Sequence, residues 1–184
     1  MKNKRILIIV IGLILIVGVC CYFYFTSDKN EIIEILPEEE ISDEQFRKTM
    51  VTLFYKNKEN NEIIPEIRLI DVKSLMKDPY GTLINLLIEQ PKNSNLESVI
   101  PKDTILKNVE LKSDILYINF SKEFIENHPG GEEAEKNTIN SIVNTLTELT
   151  EVNGIKILID NEENKSFNDN LINFSNIFFR QEND

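Results

Sequence analysis

Tryptophan is absent from the 184 residues, histidine occurs once and cysteine twice. Cys20 and Cys21 both lie in an apolar run, which excludes a disulfide framework and any cysteine-rich metal site in the rest of the chain. With His128 alone, no histidine cluster for a metal and no second histidine for a catalytic triad is available. Cations are scarce, 20 Lys and Arg against 31 Asp and Glu for a net charge of −11, and residues 26–184 alone carry 17 against 31. Nucleic acid would meet a repulsive field over that part, so it is excluded as a partner. The length allows one domain with appendages, and residues 50–184 hold no repeat and no long low-complexity stretch.

What is present begins with Ile6 to Phe25, twenty residues without a charge. At about 1.5 Å per helical residue such a run reaches roughly 30 Å, the thickness of a bilayer's hydrocarbon core. Lys2, Lys4 and Arg5 precede it and acids follow, so the charge bias predicts a cytoplasmic N-terminus with the remainder outside. The run is longer than a secretory h-region and lacks a small-x-small cleavage site, which favours an uncleaved single-pass signal anchor over residues 1–25. The alternative is a lipoprotein acylated at Cys20 or Cys21, although Gly18 stands one place too early for the usual signal. Residues 26–48, with Glu38, Glu39 and Glu40, read as an acidic, solvated linker.

Residues 49–184 read as one folded domain. Val51, Leu53 and Tyr55 alternate with Thr52 and Phe54, as in a strand with one face buried. Ile63 to Ile70 supplies a second strand, where Pro65 points to its start or to a sheet edge. Asp78-Pro79 opens a helix, as N-cap and first helical residue, and Pro91 stops it near Gln90. Thr104–Leu111 and Ile115–Phe120 follow as strands. Glu132, Glu133 and Glu135 then favour a helix N-terminus, and Ile139, Ile142, Val143, Leu146 and Leu149 form one apolar stripe. Asn153-Gly154 turns the chain into a fifth strand through Ile155, Ile157 and Ile159. The expected fold class is α+β: a small mixed sheet of about five strands in ββαββαβ order, with two helices packed on one face. Leu171 to Arg180 is apolar enough to join the domain, as strand or helix.

Few residues invite chemistry. His128 with Gly130 and Gly131 precedes a helix, where backbone N–H groups can meet an anion; without a nearby Lys or Arg or a GxxxxGK[ST] pattern, a flexible surface turn is the expected role. Asp160, Glu162 and Glu163 form an acidic patch at a strand end, and a carboxylate pair of suitable spacing serves glycoside hydrolysis. In a chain with 31 acids, chance clusters are expected. Ser121 lacks a G-x-S-x-G setting. No catalytic, cofactor-binding or metal-ligating residue is therefore assigned, and no cofactor is expected.

Four segments together resemble the GerMN domain family of bacterial sporulation, spore-germination and Gram-positive surface proteins. They are VTLFY, DPYGTLINLLIEQP, LESVIPKDTILKNVELKSDILYINFSKEF and GGEEAEKNTINSIVNTLTELTEVNGIKILID. Gln90, Asp103, Asn119-Phe120 and Glu162 depart from residues common there. The resemblance implies a non-enzymatic interaction module, similar in fold to the ring-building motif that packs side by side in secretion-system rings. It also implies envelope or sporulation-complex proteins, or further copies of the chain, as partners. The competing class is a wall-binding or wall-hydrolysing protein that uses surface carboxylates such as Asp160.

Overall fold

The computed structural model describes residues 47–181, together with Val17, Val19, Cys21 and Tyr22. The chain divides into a unit of residues 1–40 and a unit of residues 41–184. In the first, the four described residues are helical and exposed. Most of the expected anchor over Ile6 to Phe25 and nearly all of the acidic linker lie outside the described residues. Among the described residues no helix is long and apolar enough to cross a membrane.

In the second unit, β1 (Lys48–Asn57) and β2 (Ile63–Asp71) form an antiparallel hairpin whose register runs from Lys48 opposite Asp71 to Lys56 opposite Ile63. Asn side chains shape its turn: Asn57 Oδ1 accepts the Glu59 N–H at 2.8 Å and Asn60 Oδ1 that of Glu62 at 3.1 Å. The alternation predicted for β1 holds in part: Leu53 and Tyr55 are fully buried and Val51 is half-buried, but Phe54 on the other face is buried as well. Asp71 then caps a short helix absent from the expected order, α1 (Val72–Lys77), by accepting the Lys73 N–H. Asp78 caps α2 (Pro79–Ile88) by accepting the Gly81 N–H at 2.9 Å. That cap requires glycine, because a Cβ on Gly81 would lie 2.1 Å from Asp78 Oδ2.

A two-residue strand, β3 (Leu96–Glu97), joins the far end of β1. The hairpin β4 (Leu106–Lys112) and β5 (Ile115–Phe120) turns at Ser113, whose φ is 59°. After α3 (Glu123–Glu126) and α4 (Glu132–Leu146), β6 (Gly154–Ile159) runs parallel to β5, as a crossover through helices requires. β7 (Phe178–Phe179) pairs antiparallel with β6.

The class is α+β and the long elements follow the expected order, but the strands make two sheets, β2-β1-β3 and β4-β5-β6-β7, rather than one of five strands. The reason lies on α4. Phe54 donates its N–H to Thr145 Oγ1 at 2.9 Å, and its carbonyl accepts from Ser141 Oγ at 2.5 Å. Helix hydroxyls thus occupy the β1 edge that a further strand would have used. Thr138 extends the line by donating from Oγ1 toward the Val99 carbonyl, so a hydroxyl stripe runs beside the apolar stripe of Ile139, Ile142, Val143 and Leu146. Leu149 falls just past the helix end and is half-buried.

The core joins that stripe to Leu83, Ile84 and Leu87 of α2 and to the inward residues of both sheets. The tail is fixed by aromatics rather than by regular structure. Phe120 stacks on Phe124 at 4.6 Å, Phe124 meets Phe167 at 5.5 Å, and Phe167 meets Phe174 edge-on at 4.9 Å. Leu171 to Arg180 is mostly irregular, with only β7 as strand.

Candidate functional site

The glycine pair before α4 has positive φ, 76° at Gly130 and 91° at Gly131, a region where side chains are strained. The backbone it presents does meet an anion, and the anion is the protein's own. Gly131 donates its N–H to Asp169 Oδ2 at 2.7 Å, and a Cβ on Gly130 would lie 2.7 Å from the same oxygen. Glu135, one turn into α4, is fully buried; its Oε2 accepts the Ile172 N–H at 3.0 Å, while Oε1 has no partner. Burial raises its pKa, the negative Asp169 adds to the rise, and the Ile172 hydrogen bond opposes it. Two carboxylates and two glycines therefore clamp residues 169–172 onto the start of α4.

His128 sits in this clamp, which corrects the expectation of a surface turn. The residue is 7% exposed and its ring lies 4.1 Å from the Phe167 ring. Its Nδ1 accepts the Gly130 N–H at 3.1 Å, so the proton of the neutral ring is on Nε2, which stands 3.0 Å from Thr138 Oγ1. Burial holds its pKa below the ordinary 6.5 against the opposing effects of Ala134 and Asp169. Protonation would turn Nδ1 into a donor facing a donor.

The acidic patch separates into single pairs. Asp160 is bound by Lys107, Glu162 by Lys165 at 3.1 Å, and Glu163 by the nearly buried Lys156 at 3.7 Å. Asp160 and Asn161 form a turn at φ 51° and 69°, which Asn119 holds by accepting the Asn161 N–H at 2.9 Å. Beside the turn opens a polar cavity of about 510 Å³, with Lys122, Glu126, Asn164 and Asn168 among its lining residues. Ser121 is buried, and its Oγ accepts the Ile105 N–H at 3.0 Å, closing the open end of the β4–β5 hairpin. Each candidate reactive side chain is thus engaged in an internal bond. Among the described residues no group of three His, Cys, Asp or Glu could hold a metal ion.

Residues 52–165 match the family described as Germane: Sporulation and spore germination. That span is more than half of the chain. The chain belongs to the Germane family. Among solved structures it is similar to the tandem GerMN domains of the sporulation protein GerM from Bacillus subtilis, at 21% identity and TM-score 0.56, over 65% of this chain and 42% of that one. The first GerMN domain of that protein is similar at 21% identity and TM-score 0.55, over 65% and 89%. A Clostridium perfringens protein described as a lipoprotein is similar at 30% identity and TM-score 0.51, over 73% and 89%. This chain spans less than half of the tandem structure, as befits a single domain. Comparison with curated proteins found no match.

One surface of this Germane domain shows only weakly in the sequence pattern. Register places Met50, Thr52 and Phe54 on the face opposite Leu53 and Tyr55, across from Leu69, Ile67 and Pro65. Phe54 is covered, with the Arg180 guanidinium 5.5 Å from its ring. Met50, Ile67 and Leu69 are 70%, 69% and 60% exposed. A faint signal does exist: both faces of β1 carry apolar residues, so the alternation is not strictly apolar and polar.

Proposed function

We propose that this Germane domain is an interaction and assembly module of the bacterial cell envelope, serving sporulation or spore-germination complexes by binding rather than by catalysis. Two features together carry the reading: His128, Ser121, Asp160, Glu162 and Glu163 are engaged internally, whereas the apolar hairpin face elsewhere in the domain is exposed. A side chain committed to a structural bond is a poor nucleophile or base, whereas exposed apolar side chains next to a free strand edge invite a partner. In this reading residues 6–25 anchor the chain, the N-terminus is cytoplasmic, and the domain works outside the membrane. Attachment through an acylated Cys20 or Cys21 draws support from the relative described as a lipoprotein.

Deleting the chain should lower spore yield or germination and mislocalise a partner, and a copy without residues 1–25 should fail to complement, because anchoring raises local concentration. Wall hydrolysis by the purified protein that vanishes in Asp160→Asn would replace the binding reading with the enzymatic one. Globomycin-sensitive processing would decide for the acylated anchor.

A further inference from the structure

Charge is segregated along this chain. Residues 47–77 carry seven cationic and four acidic side chains, whereas residues 78–184 carry nine and nineteen. Pairing is segregated as well. Among the described residues nine Lys or Arg side chains hold a carboxylate and seven do not: Lys58, Lys92 and Lys102 stand apart, and the other four are Arg47, Lys48, Lys73 and Lys77. These four stand at one place in the fold: the start of β1, and the helix α1 that follows directly on β2. At that same end Met50 faces Leu69 across the hairpin, and Met76 of α1 is 80% exposed.

The strand edge there is open. Both backbone groups of Phe54 point away from β2, toward Thr145 and Ser141, so Phe54 and Pro65 are a non-hydrogen-bonded pair. Such pairs recur every second residue along an antiparallel ladder, so Thr52 with Ile67 and Met50 with Leu69 are of the same kind. Ile67 and Leu69 therefore direct their N–H and C=O groups away from β1, and among the described residues β2 has no neighbouring strand on that side. Pro65, lacking an N–H, closes this edge toward the hairpin turn. What stays open is a short length from Ile67 to Asp71, bordered by exposed apolar side chains and unpaired cations.

We propose that this edge, with Met50, Ile67 and Leu69, is the docking surface of the domain. Its occupant is an extended segment of another protein, apolar at alternate positions and rich in acidic residues, which adds as a strand to β2. The proposal rests on the interaction reading above and names the surface and the partner's chemistry. Unpaired main-chain groups supply directional bonds that a peptide strand matches and a lipid surface does not. The unpaired cations choose an acidic segment over a basic one and hasten its encounter.

The test uses the full chain in detergent micelles and a fluorescein-labelled ten-residue peptide of alternating Val and Glu, with an alternating Val and Lys peptide as counterpart. Binding of the first and not the second, slowed amide exchange at Ile67 and Leu69, and about tenfold weaker binding in Lys48→Glu/Lys73→Glu but not in Lys102→Glu are the results expected. Equal binding of both peptides, or unchanged exchange at Ile67 and Leu69, overturns the proposal. Phosphatidylglycerol vesicles that bind through the same lysines while neither peptide does would also overturn it, in favour of a membrane surface. In cells, a photo-cross-linker at Ile67 should capture an acid-rich segment of an envelope protein. Capture only from control positions at Ile105 and Leu171 discards this surface while the interaction reading stands; capture from no position removes both.

Discussion

Two ends of the molecule treat their charges and backbone in opposite ways. Around the start of α4, the anion-accepting glycines are filled by Asp169, the histidine is buried against Phe167, and Glu135 holds the Ile172 amide. Around the open end of the β1–β2 hairpin, four cations have no carboxylate partner among the described residues and three apolar side chains face outward. The α4 end has the residue types of a reactive site and is consumed by folding; the hairpin end has those of an ordinary strand and is left uncommitted. A candidate site is better judged by what its groups already hold than by which residue types it gathers.

The largest expected effect sets the two surfaces apart by burial. Ile142→Asp puts a charge on the buried side of α4, and an unpaired ion there costs several kcal/mol. Ile67→Asp, on the exposed face of β2, should change stability by no more than about 0.5 kcal/mol. Thermal unfolding of both variants checks the contrast, and a loss of comparable size in Ile67→Asp would mean that the outer face is covered.

Phe167→Ala comes next, because it removes the ring that touches Phe124, Phe174 and His128 together. About 3–5 kcal/mol is expected for a buried Phe truncated to Ala. Denaturant unfolding measures it, and faster amide exchange at Ile172 should accompany it, since the tail is held there by Glu135. A similar substitution at exposed Phe179, which pairs only through the short β7, should cost far less.

Smaller effects test how the two sheets are kept apart. Thr145→Val keeps the shape of the α4 side chain but leaves the Phe54 N–H without an acceptor, for about 1–3 kcal/mol. His128→Ala is expected to cost a similar amount, since it strands the Gly130 N–H and opens space beside Phe167. Equality of either variant with the parent in denaturant midpoint would count against the hydrogen bonds described.

Local chemistry explains which parts of this fold were legible beforehand. β5 runs from Ile115 to Phe120 as expected, and Asp78, Pro79 and the acids at Glu132 and Glu133 mark helix starts by groups within one turn of the end they cap. Ser141 and Thr145 gave no warning, because a hydroxyl on a helix has no preferred partner until Phe54, 87 and 91 residues away in the chain, is placed beside it. The burial of His128 is hidden in the sequence for the same reason: Phe167 lies 39 residues later, in a segment without periodicity. The short α1 and β3 fall below the length at which a pattern can repeat.

The finest test uses protons. The folded state disfavours protonated His128, so between its lowered pKa and the ordinary 6.5 the unfolded chain binds more protons, and stability falls as pH drops through that window. Glu135 works with the opposite sign. Its pKa is raised above the ordinary 4.5, the folded chain binds more protons above that value, and stability falls as pH rises through the window. In the parent the two slopes oppose each other where the windows overlap. Glu135→Gln leaves the histidine slope alone, so acidification from about pH 7 toward about 5.5 should lower its melting temperature more than the parent's. His128→Gln leaves the carboxyl slope, and its melting temperature should fall less than the parent's, or rise, over the same range. Variants at the hairpin end such as Ile67→Thr should track the parent, because that substitution touches neither group. Parallel pH profiles for Glu135→Gln, His128→Gln and the parent would mean that neither buried group is held as the clamp at α4 requires.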